Sequence, residues 1–386
     1  MKSFEFYSAG RIIFGSGQIN IAGSLAREMG QKALIVATQK SLRKNGALNR
    51  LEKLLEADNV KYKYFSDIDG EPTVEAVDEG VKFALNEKCD LVIGIGGGSC
   101  IDTAKAISGL VTNGGSALDY LEGVGSGAQI LKAPLPYLAI PTTAGTGAEV
   151  TRNAVIASKT GKFKKSLRSP MLIPDIALVD PELTLSLPPK ATAYSGMDAL
   201  TQCIESYVSK KSQPFTDALA LEGIRLAGRS LKTAFRTGND LPARYDMALC
   251  SLLSGLSLAN SGLGAAHGIG AALGAIHRIP HGLACAVMLP EVMKANFRTD
   301  IHKFARVGAA LTNQNSNEDP EKLAQDGVDF INELAEFLQI PSKLNELGLK
   351  TDDIPEVAQN SGGSSMSGNP RELTEQEIIN MLNRMF

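Results

Sequence analysis

The chain has 386 residues, 44% apolar and 21% charged, and a net charge of -3. That length exceeds one small core and points to two domains. The lack of a basic excess argues against nucleic acid or an anionic membrane as partner. Five scattered cysteines without a CxxC pair read as reduced thiols of a cytoplasmic protein. The start, MKSFEFYSAGRIIFG, lacks the basic stretch and apolar core of a signal peptide.

In chain order, FEFYS (4–8) reads as a strand able to pair with a second copy. Short apolar runs at 33–37, 62–65, 91–96, 137–140 and 176–180 predict further strands, with amphipathic helices over 48–57 and 73–87 between them. Strands alternating with helices predict a largely parallel sheet covered on both faces. Pro181 and Pro188–Pro189 then punctuate the chain. Beyond them, helical spacing recurs near 191–209, 214–234, 241–259, 284–296, 299–312, 320–338 and 374–386. The expected division is an α/β domain over 1–185 and an all-helical domain over 186–386. The Ala/Gly/Leu-rich run 252–276 contains Asn260, Ser261, His267 and six glycines, and reads as a buried helical hairpin rather than a membrane span.

Two loops suit a nucleotide. DLVIGIGGGSCIDTAKA reads as a strand, then Gly96–Ser99, then a helix opening near Ile101–Asp102. Glycines let a ligand approach the backbone, and a helix start offers unpaired N–H groups to a pyrophosphate. A tight strand-to-helix turn would use the same glycines, and the loop lies far from the first strand, where the usual dinucleotide fingerprint sits. The second loop, YLAIPTTAGTGAEVT, follows a strand with Thr142, Thr143 and Thr146, whose hydroxyls can serve a ligand or cap a turn. Two such loops at adjacent strand ends would bracket one dinucleotide.

Three of the four histidines, His267, His277 and His281, fall within GLGAAHGIGAALGAIHRIPHG. Asp198 and Gln202 lie four apart on one predicted helix face. Two imidazoles and one carboxylate from different elements make an open divalent-metal site. Asp198, His267 and His281 are the expected ligands, with Gln202 as a weak neutral oxygen. Pro280 breaks the helix between His277 and His281, and His277 is placed as a cleft-lining group rather than a ligand.

Together GGGSCIDTAKA, IPTTAGTGAEVT, PDIALVDPEL, GMDALTQCIESYVS, AAHGIGAALGAIHRIPHG and NPRELTEQEI resemble the iron-containing (group III) alcohol dehydrogenase family over essentially the whole chain. The resemblance implies a Rossmann-like N-terminal domain, an all-α C-terminal domain, a dehydroquinate synthase-like architecture and a cleft between the two. It implies Gly97, Gly98 and Ser99 at the pyrophosphate with Asp102 close by, Thr142, Thr143 and Thr146 on the cofactor, and Lys164 near the ribose. Asp198, His267 and His281 match three metal-ligand positions.

Two positions depart from the family pattern. Gln202 stands where iron-binding members carry a histidine ligand, and Ala271 where a histidine lies near the nicotinamide, for which His277 could substitute. Both Fe²⁺ and Zn²⁺ are therefore admitted. Thr38, with Lys40, Arg43 and Lys44 nearby, replaces the acidic residue of many NAD-preferring members, so both NAD and NADP are admitted. The expected activity is hydride transfer between a small primary alcohol, or its aldehyde, and the nicotinamide, in a homodimer or larger assembly. Three other readings use the same residues: reduction of an anionic, carboxylate- or phosphonate-bearing carbonyl compound held by Arg278 or Arg168, a lyase of the dehydroquinate synthase type, and a non-catalytic nucleotide-binding protein.

Overall fold

The strand-like runs assemble into one six-stranded parallel sheet in the computed structural model, which describes residues 3–66, 70–158, 163–315 and 318–386. Its elements are β1 (Arg11–Phe14), α1 (Ala22–Met29), β2 (Lys32–Val36), α2 (Gln39–Lys44), α3 (Ala47–Ala57), β3 (Lys61–Phe65), α4 (Val74–Asn86), β4 (Leu91–Gly96), α5 (Gly98–Asn113), β5 (Tyr137–Pro141), β6 (Asn153–Ala157), β7 (Lys164–Arg168) and β8 (Ile176–Val179). The spatial order is β1-β8-β5-β4-β2-β3, and β6 and β7 form a separate antiparallel pair. Every residue of β4, β5 and β8 is buried, as central strands covered on both faces require. Edge strand β3, KYKYF, instead alternates between exposed and more buried positions.

The chain winds outward from β2 to β3, then returns past β2 to β4 and continues the other way. The winding direction thus reverses between β2 and β4, and open parallel sheets bind ligands at the carboxyl ends of strands flanking such a reversal. Thr38 follows β2 and Gly97–Ser99 follow β4, so both occupy that switch point. This explains why the Gly-rich turn lies so far along the chain: β4, not the first strand, flanks the reversal.

Beyond these lie α6 (Pro189–Val208), α7 (Pro214–Arg236), α8 (Leu241–Ser261), α9 (Ala265–His277), α10 (His281–Asn296), α11 (Ile301–Thr312), α12 (Pro320–Phe337), α13 (Ile354–Gln359) and α14 (Glu375–Asn383). Tyr7–Thr143 with Gly147–Ser186 form one compact unit; the other takes Leu187–Phe386, Ala144–Thr146 and the N-terminal residues through Phe6. Helix α6 is buried almost throughout its second half, from Gly196 to Val208, and packs against α7, α8 and α10. Helices α8 and α9 meet at 100°, and no single helix among the described residues is long and apolar enough to cross a membrane.

Two expectations are corrected. Residues 4–8 form no strand: the rings of Phe4 and Phe6 pack on Phe215 at 5.6 and 5.5 Å, and Glu5 O accepts from Gln213 Nε2. Helix α5 opens at Gly98, earlier than expected, because Gly97 O accepts from both Cys100 and Ile101 N–H and nucleates the first turn there.

Close approach of α11 and α12 depends on Gly308 and Gly327. A Cβ at Gly308 would lie 1.8 Å from Leu323 O, and one at Gly327 would lie 2.8 Å from Gly308 Cα. Gly308→Val is expected to cost about 3 kcal/mol or more through overpacking, read as a lowered urea midpoint. An unchanged midpoint would contradict this crossing.

Candidate metal centre and nucleotide loops

The candidate metal centre is assembled within the helical unit. Asp198 projects from the middle of α6, His267 from the first turn of α9, and His281 opens α10. His267 Nε2 lies 3.4 Å and His281 Nε2 4.0 Å from Asp198 Oδ1. Cys285, one turn after His281, brings its Sγ within 3.8 Å of His281 Nε2. One ligand atom from each of these four residues lies within 4.8 Å of all the others. Gly282 sets the approach of α10 to α6: a Cβ there would meet Tyr194 O at 2.3 Å and Asp198 Cβ at 3.3 Å. A glycine at that position keeps His281 next to Asp198.

Glu205 organises the site from behind. Its Oε2 accepts from Gly264 N at 2.9 Å and pairs with His267 Nδ1 at 2.6 Å, while Oε1 accepts from Ala266 N at 2.6 Å. Asn369 Oδ1 accepts from Ala265 N and from Asn296 Nδ2, at 3.2 and 2.8 Å. The start of α9 is thereby capped by two side chains remote in sequence. Its first-turn N–H groups carry partial positive charge, so the carboxylate is stabilised there. The same carboxylate holds a proton on His267 Nδ1 and leaves Nε2 to a cation, the usual carboxylate–histidine–metal arrangement.

The donor set fits a divalent cation. His267 Nε2 is buried without a hydrogen bond. Burial alone would push the His267 imidazole down, but Cys285, Glu205 and Asp198 outweigh it and hold the ring well above the ordinary histidine range. Burial likewise pushes the Cys285 thiol up, and His267 and His281 outweigh that to bring it below its usual value. Acidic groups converging on a buried imidazole favour positive charge at their centre, as a metal would supply.

The remaining expected residues take these positions. Gln202 lies beside the cluster, its Nε2 donating to Asp198 Oδ2 at 3.2 Å and its Oε1 accepting from Ser254 Oγ at 2.7 Å. His277 ends α9 outside the cluster, with Nε2 at 3.4 Å from Asp353 Oδ2. In the α/β unit, Thr142 N donates to Gly96 O at 2.8 Å, and a Cβ at Gly97 would touch Thr143 Cγ2 at 3.4 Å, so the loops after β4 and β5 lie side by side. Thr38 Oγ1 is 3.3 Å from Cys100 Sγ, which ties the end of β2 to the start of α5. Ser99 sits in that first turn, and Thr146 just before a short 3-10 turn at Ala148–Val150.

Two of the expected cofactor residues have internal partners. Asp102 Oδ2 accepts from Val155 N at 3.0 Å, and Oδ1 lies 3.5 Å from Lys105 Nζ. Lys105, fully buried, also donates to Ala148 O, Thr151 Oγ1 and Asn153 O at 2.7, 2.9 and 2.8 Å, and so knots the segment after β5. Lys164 pairs with Glu71 at 2.8 Å. Sequence reasoning missed Glu205 and Cys285. Each lay at a helical interval from an expected ligand, Glu205 two turns after Asp198 and Cys285 one turn after His281.

Both halves of the chain match known proteins. Residues 9–181 match the model of the iron-containing alcohol dehydrogenases, and residues 192–386 match the C-terminal domain of the Fe-containing alcohol dehydrogenase family. Alcohol dehydrogenase 4 of Saccharomyces cerevisiae is 35% identical over 382 residues, covering 99% of this chain and 98% of the relative. A crystal structure of 1,3-propanediol oxidoreductase superposes with a TM-score of 0.94 at 33% identity, covering 100% of both chains. Sulfoacetaldehyde reductase from Bifidobacterium kashiwanohense, solved with NAD⁺, superposes with a TM-score of 0.89 at 28% identity, covering 100% of this chain and 99% of that one. With both halves matched and a relative this similar along nearly its full length, the chain belongs to the iron-containing alcohol dehydrogenase family.

Proposed function

We propose that the chain catalyses reversible hydride transfer between a small primary alcohol, or its aldehyde, and NAD or NADP, with a divalent metal held by Asp198, His267 and His281. The observation that carries this reading is the convergence of those three side chains from three helices. A divalent ion supplies Lewis acidity, lowering the pKa of an alcohol hydroxyl or polarising a carbonyl. The nicotinamide supplies the hydride chemistry. The protein's own groups bind, orient and move protons. Glu205 fixes the His267 tautomer, and the Gln202 amide steadies Asp198. The first-turn N–H groups of α5, beside Gly97, Gly98 and Ser99, receive the pyrophosphate, with Thr38, Thr142, Thr143 and Thr146 as further contacts. His277, next to Asp353, is the proton carrier.

Arg43 is engaged by Gln39, Asn49 and Glu52, so one of the cations near Thr38 is already committed, which weights the choice toward NAD. Arg168 donates to Glu122 at 2.9 Å, which weakens its part in an anionic-substrate reading and favours an uncharged alcohol. The solution state of this reading is a homodimer or larger assembly, as the family resemblance suggests, and the five free cysteines suit a cytoplasmic location. The test is reduction of NAD⁺ and NADP⁺ with short primary alcohols, beside oxidation of the reduced cofactors with uncharged and with sulfonate- or carboxylate-bearing aldehydes. Turnover of uncharged substrates that is lost on chelation is the expected result. Turnover confined to anionic aldehydes, or unaffected by metal removal, would contradict it.

A further inference from the structure

We propose that Cys285, and not Gln202, is the fourth metal ligand, so that the centre is an Asp198–His267–His281–Cys285 set which prefers Zn²⁺ to Fe²⁺. The inference rests on the three-ligand reading above and concerns the position where this chain departs from the histidine of its family. A glutamine can ligate only through Oε1, because its amide nitrogen has no available lone pair. Asp198 accepts hydrogen bonds, so the Gln202 atom 3.2 Å from Asp198 Oδ2 is the donating nitrogen. That fixes Oε1 on the other side, against the Ser254 hydroxyl at 2.7 Å. Gln202 is therefore a positioning residue for Asp198.

Cys285 has the placement that Gln202 lacks. It follows His281 by four residues on α10, so both side chains leave the same helix face. It is buried, as are Asp198 and His267. Tetrahedral bonds of ordinary zinc length place nitrogen or oxygen ligands about 3.3 Å apart and a sulfur about 3.6 Å from each. The observed separations of 3.4 and 4.0 Å to Asp198 Oδ1, and 3.8 Å from Cys285 Sγ to His281 Nε2, need only small side-chain adjustments to reach those edges. The buried His267 Nε2, without a hydrogen bond, completes the set. Binding converts the thiol to a thiolate: the S–H bond breaks, an S–metal bond forms and one proton leaves to solvent. A thiolate turns the site toward Zn²⁺ and Co²⁺ and away from Fe²⁺.

The experiment is Co²⁺ titration of the metal-stripped full-length protein, read by absorbance and by bound metal per chain. One Co²⁺ per chain with a thiolate-to-cobalt charge-transfer band in the near ultraviolet is expected. Cys285→Ser should abolish the band, and Gln202→Ala should keep it. In competition, Zn²⁺ should bind at least roughly tenfold more tightly than Fe²⁺. One bound Co²⁺ without the band in the unaltered protein would overturn the inference and leave the three-ligand centre standing. No bound Co²⁺ at all would overturn the centre itself. Because the unaltered protein alone gives the decisive spectrum, the result does not depend on either variant folding.

Discussion

Replacing His267 with alanine is expected to empty the metal centre and to lower alcohol oxidation by roughly 10³-fold or more, the several kcal/mol of barrier that a Lewis acid supplies. The imidazole is the ligand most firmly built into the protein: it is buried, held at Nδ1 by Glu205, and lies 3.4 Å from Asp198. Its loss leaves Asp198 and His281 without the imidazole that Glu205 holds in place. NAD⁺ binding should survive nearly unchanged, because Thr38, Gly97–Ser99, Thr142 and Thr143 belong to the other compact unit. Elemental analysis, steady-state turnover and NAD⁺ titration of the same preparation separate these effects. Full activity in a metal-stripped His267→Ala protein would refute a metal-dependent mechanism.

The second large effect is expected at Glu205, which touches no substrate. Its carboxylate serves Gly264 N, Ala266 N and His267 Nδ1. Glu205→Gln keeps the shape but turns one acceptor oxygen into an NH₂ that faces at least one of those donors. Metal affinity should fall about 10–100-fold, as when a partner behind a ligating histidine is lost. Stability should fall by about 1–3 kcal/mol, for a buried donor left unsatisfied. Excess metal should restore turnover, shifting the half-saturating metal concentration rather than the maximum rate. Metal affinity equal to that of the unaltered protein would show that Glu205 only caps α9.

Most of the fold was legible because its signals are local. LVIGIG stands out as a continuous apolar run, and β4 occupies those six residues. β6 and β7 were not legible: NAVIA follows a hydroxyl-rich loop, KKSLR is mostly charged, and only their mutual pairing makes them strands. Asp198, His267 and His281 could be singled out as a group because histidine is scarce and clustered here. Glu205 could not, since its partners are backbone N–H groups of a helix that begins some sixty residues later. The spacing of Gln202 from Asp198 puts both on one helix face. Which way its amide faces depends on Ser254, fifty-two residues away, and that contact exists only once α8 packs on α6.

The most direct measurement is a crystal structure of the metal-loaded protein, with the ion located by anomalous scattering at its own absorption edge. One ion is expected on Asp198 Oδ1, His267 Nε2 and His281 Nε2 at about 2.0–2.2 Å. An ion bound elsewhere, or these three side chains turned away from a common centre, would contradict the account.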